Sequence, residues 1–217
     1  MADSLLERLR AIPYSGAIAD VLVEEGHPDQ VLPWQIRPLT RVTSLVGRAV
    51  TVEGRPATEG SRDDYFVPYL QMLASLGVDD VIVSQPNDDI CAHLGELSAE
   101  TAQYRGARGA VIDGGVRDLA YIDRLGFPVF ARYCTPVDIV DRWQLSGFGE
   151  PVSIGRTAVA TGDLIVGDVD GVVVIPSAIA ERVVTRTEEV IATENLVRRD
   201  ILAGVDPVTA YHRHGRF

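Results

Sequence analysis

The sequence predicts one mixed α/β domain spanning residues 1–217, with helical arms at both ends. Three observations carry this. The chain has 217 residues, 46% of them apolar, enough to bury one substantial core. Its middle third alternates short apolar runs with segments of helical period, the pattern of parallel strands joined by right-handed crossovers. Its last third sets four short strand-like runs before one long helical run.

Taken in order, Leu5, Leu6 and Leu9 mark a short amphipathic helix that stops before Pro13. Ser15 reads as the N-cap of a second helix carrying Ile18, Val21 and Leu22 and closing near Gly26. Residues 28–38 read as loop. Residues 46–52 read as a strand with Gly47 as a bulge, and 54–60 as a turn-rich loop. Phe66, Leu70, Leu73 and Leu76 give helical spacing over 63–76, with Gly77 as its C-terminal cap. Then follow a strand at 80–84, a helix at 97–105, a strand at 110–113, a helix at 119–125 and a strand at 129–131. After Pro136 come short strands at 152–154, 157–160, 164–168 and 172–175, with Asp170-Gly171 as a hairpin turn. A helix over 177–202, capped by Ser177, leads to a tail around His212 and His214 that reads as frayed.

Composition narrows the chemistry. The formal net charge of -11 argues against binding nucleic acid through its phosphates, which needs a basic face. All 20 basic side chains are Arg. Without a lysine there is no Schiff base to a keto substrate, no pyridoxal-phosphate anchor and no P-loop amine. Carbonyl chemistry would then rest on a metal or on acid–base groups alone. Cys91 and Cys134 are too few for a disulfide scaffold and lack C-x-x-C spacing; neither has a base partner that marks a catalytic thiol. The start, Met1-Ala2-Asp3-Ser4, has no basic region followed by an apolar run. No apolar stretch approaches the roughly 20 residues of a membrane helix. The expectation is a soluble cytoplasmic protein without a membrane partner.

Two motifs carry the candidate site. Gly95-Glu96-Leu97-Ser98 sits where a loop enters a helix. There a glycine allows close backbone approach and positive φ, and the unpaired first-turn amides favour a carboxylate. Taken alone, such a stretch also describes any helix start, with Glu96 complementing the dipole. Asp113-Gly114-Gly115-Val116-Arg117-Asp118 ends a buried strand. Arg117 offers a planar fork of donors for a carboxylate or enolate oxygen. Asp118 is a ligand type for Mg²⁺ or Mn²⁺, and Glu96 could hold a water of such an ion. The plainer alternative makes Asp118 an N-cap and Arg117 a solvated side chain. Because both motifs occupy equivalent places on consecutive strand–helix units, their loops are expected to face one crevice.

Together with Gly126-Phe127-Pro128-Val129-Phe130-Ala131-Arg132 and Thr135-Pro136, these motifs resemble the family of 4-hydroxy-4-methyl-2-oxoglutarate aldolases, which also contains the ribonuclease E activity regulator A proteins. Weaker matches lie at Val46-Gly47-Arg48-Ala49, Gly162-Asp163 and Val172-Val173-Val174-Ile175-Pro176. The resemblance implies a three-layer β/β/α swivelling-domain fold assembled as a homotrimer or homohexamer. It implies a Mg²⁺- or Mn²⁺-dependent aldolase that releases pyruvate from a small 2-oxo acid, with oxaloacetate decarboxylase activity. Carried across, the backbone of Gly95, Glu96, Leu97 and Ser98 binds the pyruvyl carboxylate, Arg117 binds substrate, Asp118 ligates the metal and Glu96 reaches it through water. Glu194 falls where an acid reaches a neighbouring subunit's site.

Two departures stand out. Ser98 replaces a common apolar residue. The stretch 87–93, with Asp88, Asp89 and His93, has no close match and is expected to border the distal half of the substrate; His93 is an acid–base group or a plain loop histidine. Asp168-Val169-Asp170-Gly171 lacks the twelfth-position Glu of a calcium loop. The alternative function is a non-catalytic regulator that binds a ribonuclease or helicase through its oligomer surface. Methyl transfer lacks a glycine-rich nucleotide loop.

Overall fold

A computed structural model describes residues 4–12 and 14–217. The expected features at residues 1–3 and the helix stop at Pro13 lie outside the described residues. The central run is as the periodicity predicts. β3 (Asp80–Gln85), α4 (Glu96–Arg105), β4 (Gly109–Val116), α5 (Leu119–Leu125) and β5 (Val129–Cys134) alternate, and β3, β4 and β5 pair in parallel. β2 (Leu45–Pro56) pairs parallel with β3 on one side. On the other it pairs antiparallel with β9 (Leu164–Gly167) at its start and β6 (Trp143–Phe148) at its end. With β1 (Arg37–Pro38) and β10 (Val172–Ile175), the order is β1-β5-β4-β3-β2-β9-β10, and β6 sits on β2.

The stretch before and through β1 closes this sheet. Val31 bridges to Val173, the Leu32 amide donates to the Val172 carbonyl (2.9 Å), and the Val174 amide donates to the Gln30 carbonyl (2.8 Å). A few residues later Arg37 and Pro38 pair with Ala131 and Phe130. One strap thus joins the β10 edge to the β5 edge, where a loop was expected. Inside it Leu32, Ile36, Val83, Val111, Phe130, Ile165 and Val174 pack with the small hairpin of β7 (Val152–Ile154) and β8 (Thr157–Val159). On the outer face α3 (Arg62–Ser75), α4 and α5 cover a second core, which completes the β/β/α layering. The arms α1 (Ser4–Ala11), α2 (Ser15–Glu24) and α6 (Ala180–Leu202) form a third core over β9 and β10.

Several local expectations are corrected. Tyr14, not Ser15, is the N-cap of α2, because both the Ser15 amide and hydroxyl donate to Asp168 (2.6 and 2.9 Å). Gly47 makes no bulge; a Cβ there would lie 2.4 Å from the Asp79 carbonyl oxygen. The register shift of β2 against β6 falls between Glu53 and Gly54, and the strand continues to Pro56, into the first part of the segment expected to turn. Gly54 lies against Trp143, whose indole a Cβ would meet at 2.0 Å. Leu76 rather than Gly77 caps α3, and Ser177 opens a 3₁₀ turn ahead of α6. The tail is held: α7 (Pro207–His214) starts at the Asp206 cap, and Arg213 and His214 both reach Asp200 (2.6 and 2.8 Å).

Candidate functional site

Because β3 and β4 are parallel neighbours, the turns after them open at one end of the sheet. The loop after β3 continues the pairing past the strand: the His93 amide donates to Gly115 O (2.8 Å), and the Arg117 amide to Leu94 O (2.9 Å). This brings Gly95 directly over Arg117 and Asp118. A Cβ at Gly95 would lie 2.8 Å from Asp118 Oδ2 and 3.1 Å from Arg117 Nε. Gly95 has φ of -131°, so close approach, not positive φ, requires the glycine. Likewise the Gly114-Gly115 pair lies inside β4, beside a register shift between Ile112 and Gly115, and a Cβ on Gly115 would meet the Tyr133 ring at 2.4 Å.

The two motifs therefore form one site. Gly95 is the N-cap of α4, which leaves the amides of Glu96, Leu97 and Ser98 without helical partners. The Glu96 amide donates to Asp118 Oδ2 (3.1 Å). Arg117 Nε lies 3.5 Å from the same oxygen, and Arg117 Nη1 donates to Asp138 Oδ2 (2.8 Å). Asp118 takes the left-handed backbone (φ 59°, ψ 28°) and caps α5 without a side-chain hydrogen bond. That conformation is tolerated by Asp better than by most residues, and it frees the carboxylate to face Gly95. The N-cap alternative is thus correct for the backbone of Asp118 and incorrect for its side chain.

These residues line a cavity of about 240 Å³ together with Phe66, Tyr69 and Leu70 of α3, and with His93 and Ile139. On their other side Arg117 and Asp118 border a shallower cleft with Cys134 and Pro136. Asp138, unmarked by any motif, is held below its usual pKa: burial pushes it up, but the Val140 amide and the Arg117 guanidinium outweigh that. Leu70, one of the residues that mark the helical spacing of α3, is 55% exposed and lines the cavity. Cys91 is buried, and burial first, then Asp88, push its thiol up to about 11, which leaves it protonated and inert. Glu194 bonds the Tyr14 hydroxyl and lies 3.6 Å from Arg216 Nε; neither partner lines the cavity.

His93 is a loop histidine, as one of the two readings had it, and it is buried. Its Nε2 lies 3.1 Å from Asp88 Oδ2, its ring stacks edge-on against Trp143 at 5.0 Å, and its Nδ1 has no partner among the described residues. Burial lowers its pKa from 6.5 against the pull of Asp88. Asp88 is itself lowered: burial works upward, but the Cys91 and Ile90 amides and His93 prevail. As pH falls through 6.5, the unfolded chain binds a proton that folded His93 refuses, so stability drops. Asp88 contributes stability above its ordinary carboxyl range and loses it as pH falls through the depressed value. His93→Gln is expected to flatten the decline in urea midpoint between about pH 6.5 and 5. Equal slopes in the two proteins would contradict this assignment.

The donor set bears on a metal. Among the described residues no group of three or more His, Cys, Asp or Glu gathers as a metal cage. Asp118 Oδ1 has no partner among them, and the side chain is 39% exposed. One open carboxylate beside Glu96 does not suit zinc, which takes three or four protein ligands. It fits Mg²⁺ or Mn²⁺, which take one or two carboxylates and fill the rest with water and substrate oxygens. No helix among the described residues is long and apolar enough to cross a membrane.

Comparison with known proteins bears on the family and the fold. A family model described as RraA-like, Aldolase/RraA, matches residues 15–174. A protein of Halalkalibacterium halodurans, provisionally named 4-hydroxy-4-methyl-2-oxoglutarate aldolase, is 32% identical over 176 residues, covering 81% of this chain and 80% of that one. The structure of an uncharacterized protein from Pseudomonas syringae pv. tomato superposes with a TM-score of 0.84 at 29% identity, covering 97% and 98% of the two chains. Streptomyces coelicolor RraAS2, described as an unusual member of the RNase ES inhibitor RraA protein family, superposes with a TM-score of 0.81 at 25% identity, covering 91% and 97%.

Proposed function

The chain belongs to the RraA-like family, and from that premise we propose that it is a metal-dependent lyase. Its reaction is the cleavage of a 4-hydroxy-2-oxo acid, such as 4-hydroxy-4-methyl-2-oxoglutarate, to pyruvate, with decarboxylation of oxaloacetate as a second activity. The observation that carries this reading is the meeting of the α4 amide terminus with Arg117 and Asp118 over Gly95.

Each residue has a part. The amides of the Gly95 to Ser98 turn and the Arg117 fork bind the carboxylate and 2-oxo end of the substrate. Asp138, through its 2.8 Å bond, fixes the plane of the Arg117 guanidinium. Asp118 holds the divalent cation. When bound, Mg²⁺ or Mn²⁺ supplies Lewis-acid stabilisation of the charge that develops on the 2-oxo group. Glu96, whose carboxylate has no side-chain partner among the described residues, takes or delivers a proton through a water. Lysine plays no part, because the chain has none.

The test is pyruvate release from 4-hydroxy-4-methyl-2-oxoglutarate and from oxaloacetate. Activity is expected to stop with a chelator and to return with Mg²⁺ or Mn²⁺. If purified protein with metal supplied yields no pyruvate from either acid, the proposal fails. The likeness to the Streptomyces coelicolor protein, a member of an RNase ES inhibitor family, supports a second reading: a regulator that binds a ribonuclease. Capture of a ribonuclease or helicase by an enzymatically silent protein would favour it.

A further inference from the structure

The loop between β3 and α4 is built around one buried carboxylate. Asp88, its side chain 4% exposed, accepts on Oδ2 from the Ile90 amide (3.0 Å), the Cys91 amide (2.8 Å) and His93 Nε2 (3.1 Å). An ionised carboxylate only accepts, so His93 carries its proton on Nε2. The two amide bonds close an Asx turn. The third ties that turn to the ring of a residue just ahead of Gly95. The stretch 87–93 was expected to border the distal half of the substrate, yet of its residues only Ala92 and His93 line the cavity.

The rest of His93 is held as closely. Its amide donates to Gly115 O (2.8 Å), and its carbonyl accepts from the Tyr69 hydroxyl of α3 (2.8 Å). Its ring packs edge-on against Trp143 at 5.0 Å, and Trp143 Nε1 donates to the Pro86 carbonyl (2.8 Å) at the start of the same loop. These contacts fix the chain as it enters Gly95. There the fit is tight, since a Cβ on Gly95 would lie 2.8 Å from Asp118 Oδ2. The amides of Glu96, Leu97 and Ser98 are backbone groups. Their place is therefore set by what anchors the chain before them, not by their own side chains.

We infer that Asp88 is a positioning residue for the carboxylate cradle: by gathering two loop amides and the His93 ring on one oxygen, it sets where the Glu96, Leu97 and Ser98 amides stand over Arg117 and Asp118. The inference rests on the aldolase reading, in which those amides bind the carboxylate of the substrate. Asp88 itself touches no reacting atom. Without it three donors lose their acceptor, and Cys91 and His93 are both buried. An unmet buried donor is costly, and the loop escapes that cost by opening to water, which carries Gly95 away from Arg117 and Asp118. The metal side of the site is set separately, because Asp118 belongs to the turn that starts α5.

The experiment compares Asp88→Ala and Asp88→Asn with the wild type. It measures kcat and KM for pyruvate release from 4-hydroxy-4-methyl-2-oxoglutarate with Mg²⁺, calorimetric binding of pyruvate and of Mg²⁺, and hydrogen exchange over residues 90–98. Asp88→Ala is expected to raise KM and weaken pyruvate binding by about tenfold or more, and to speed exchange across 90–98. A contact made equally in ground and transition states shows in KM, so kcat is expected to change by less than about threefold. Mg²⁺ affinity is expected to hold. Asp88→Asn keeps an acceptor oxygen in the place of Oδ2 and is expected to stay within about threefold of the wild type. His93→Gln and His93→Asn repeat the comparison with the Asx turn intact, and decide the matter if Asp88→Ala does not fold. The Gln amide reaches Asp88 from the place of Nε2 and the Asn amide does not, so only His93→Asn is expected to raise KM. Unchanged pyruvate affinity in Asp88→Ala, equal loss of pyruvate and Mg²⁺ binding, an Asp88→Asn protein as impaired as Asp88→Ala, or equal effects of the two His93 variants would overturn the inference. If no pyruvate is released, the aldolase reading falls, and the pyruvate titration, which needs no cleavage, decides the positioning role alone. A wild type that binds no pyruvate overturns that role too.

Discussion

Asp118→Asn is expected to reduce pyruvate release by about a thousandfold or more while the protein stays folded. The backbone at 118 is left-handed, with φ of 59°, and Asn accepts that conformation as well as Asp does. The Asn carbonyl can still accept from the Glu96 amide, which now lies 3.1 Å from Oδ2. The change therefore costs little stability, about 0.5 kcal/mol or less. It removes the anionic charge that fits this position to a hard divalent ion. Lewis-acid stabilisation is worth several kcal/mol in such reactions, and about 1.4 kcal/mol is tenfold in rate, which sets the scale of the loss. The measurements are kcat with saturating Mg²⁺, Mg²⁺ binding by calorimetry, and the melting temperature. A variant with a tenth of the activity left would remove Asp118 from the proposed role.

Arg117→Ala is the second large effect. The side chain bonds Asp138 at 2.8 Å and stands 3.5 Å from Asp118, so it is held between two carboxylates with its fork toward the cavity. Removing it deletes a charge-assisted contact to substrate worth about 1.5–3 kcal/mol, or roughly 10- to 150-fold in kcat/KM. It also strips Asp138 of its guanidinium partner, so the Asp138 pKa is expected to climb, since Arg117 helps to hold it down. Arg117→Lys separates charge from geometry. An ammonium restores the charge but cannot reproduce two parallel donors, so only partial recovery is expected, mostly in KM. Full recovery would mean that a point charge suffices.

Much of this site was visible in the chain before folding. Glycine ahead of Glu96-Leu97-Ser98 and the Arg117-Asp118 pair are local signals: each reports the end of one strand or the start of one helix. The alternation of β3, α4, β4, α5 and β5 then placed them at the same end of a parallel sheet. The partners of these residues were not visible. Asp138 reaches Arg117 across 21 positions, and Trp143 stacks on His93 from a strand, β6, whose apolar–polar alternation lasts only from Trp143 to Ser146. The strap around β1 holds Pro33 and Pro38 and shows no period, yet it takes hydrogen bonds from both sheet edges.

Three things can be read from the unfolded chain: which segments are strands and helices through the core, that no lysine is present to form a Schiff base, and which two loops carry the candidate site residues. These follow from side-chain period, composition and backbone freedom, all properties of neighbours in the chain. Four others emerge only on folding: Asp118 turns its carboxylate onto Gly95, Asp138 orients Arg117, His93 is buried, and α3 supplies a carbon wall. Those facts depend on which surfaces pack together. Packing brings distant residues into contact by shape and burial, and a local pattern does not encode the result.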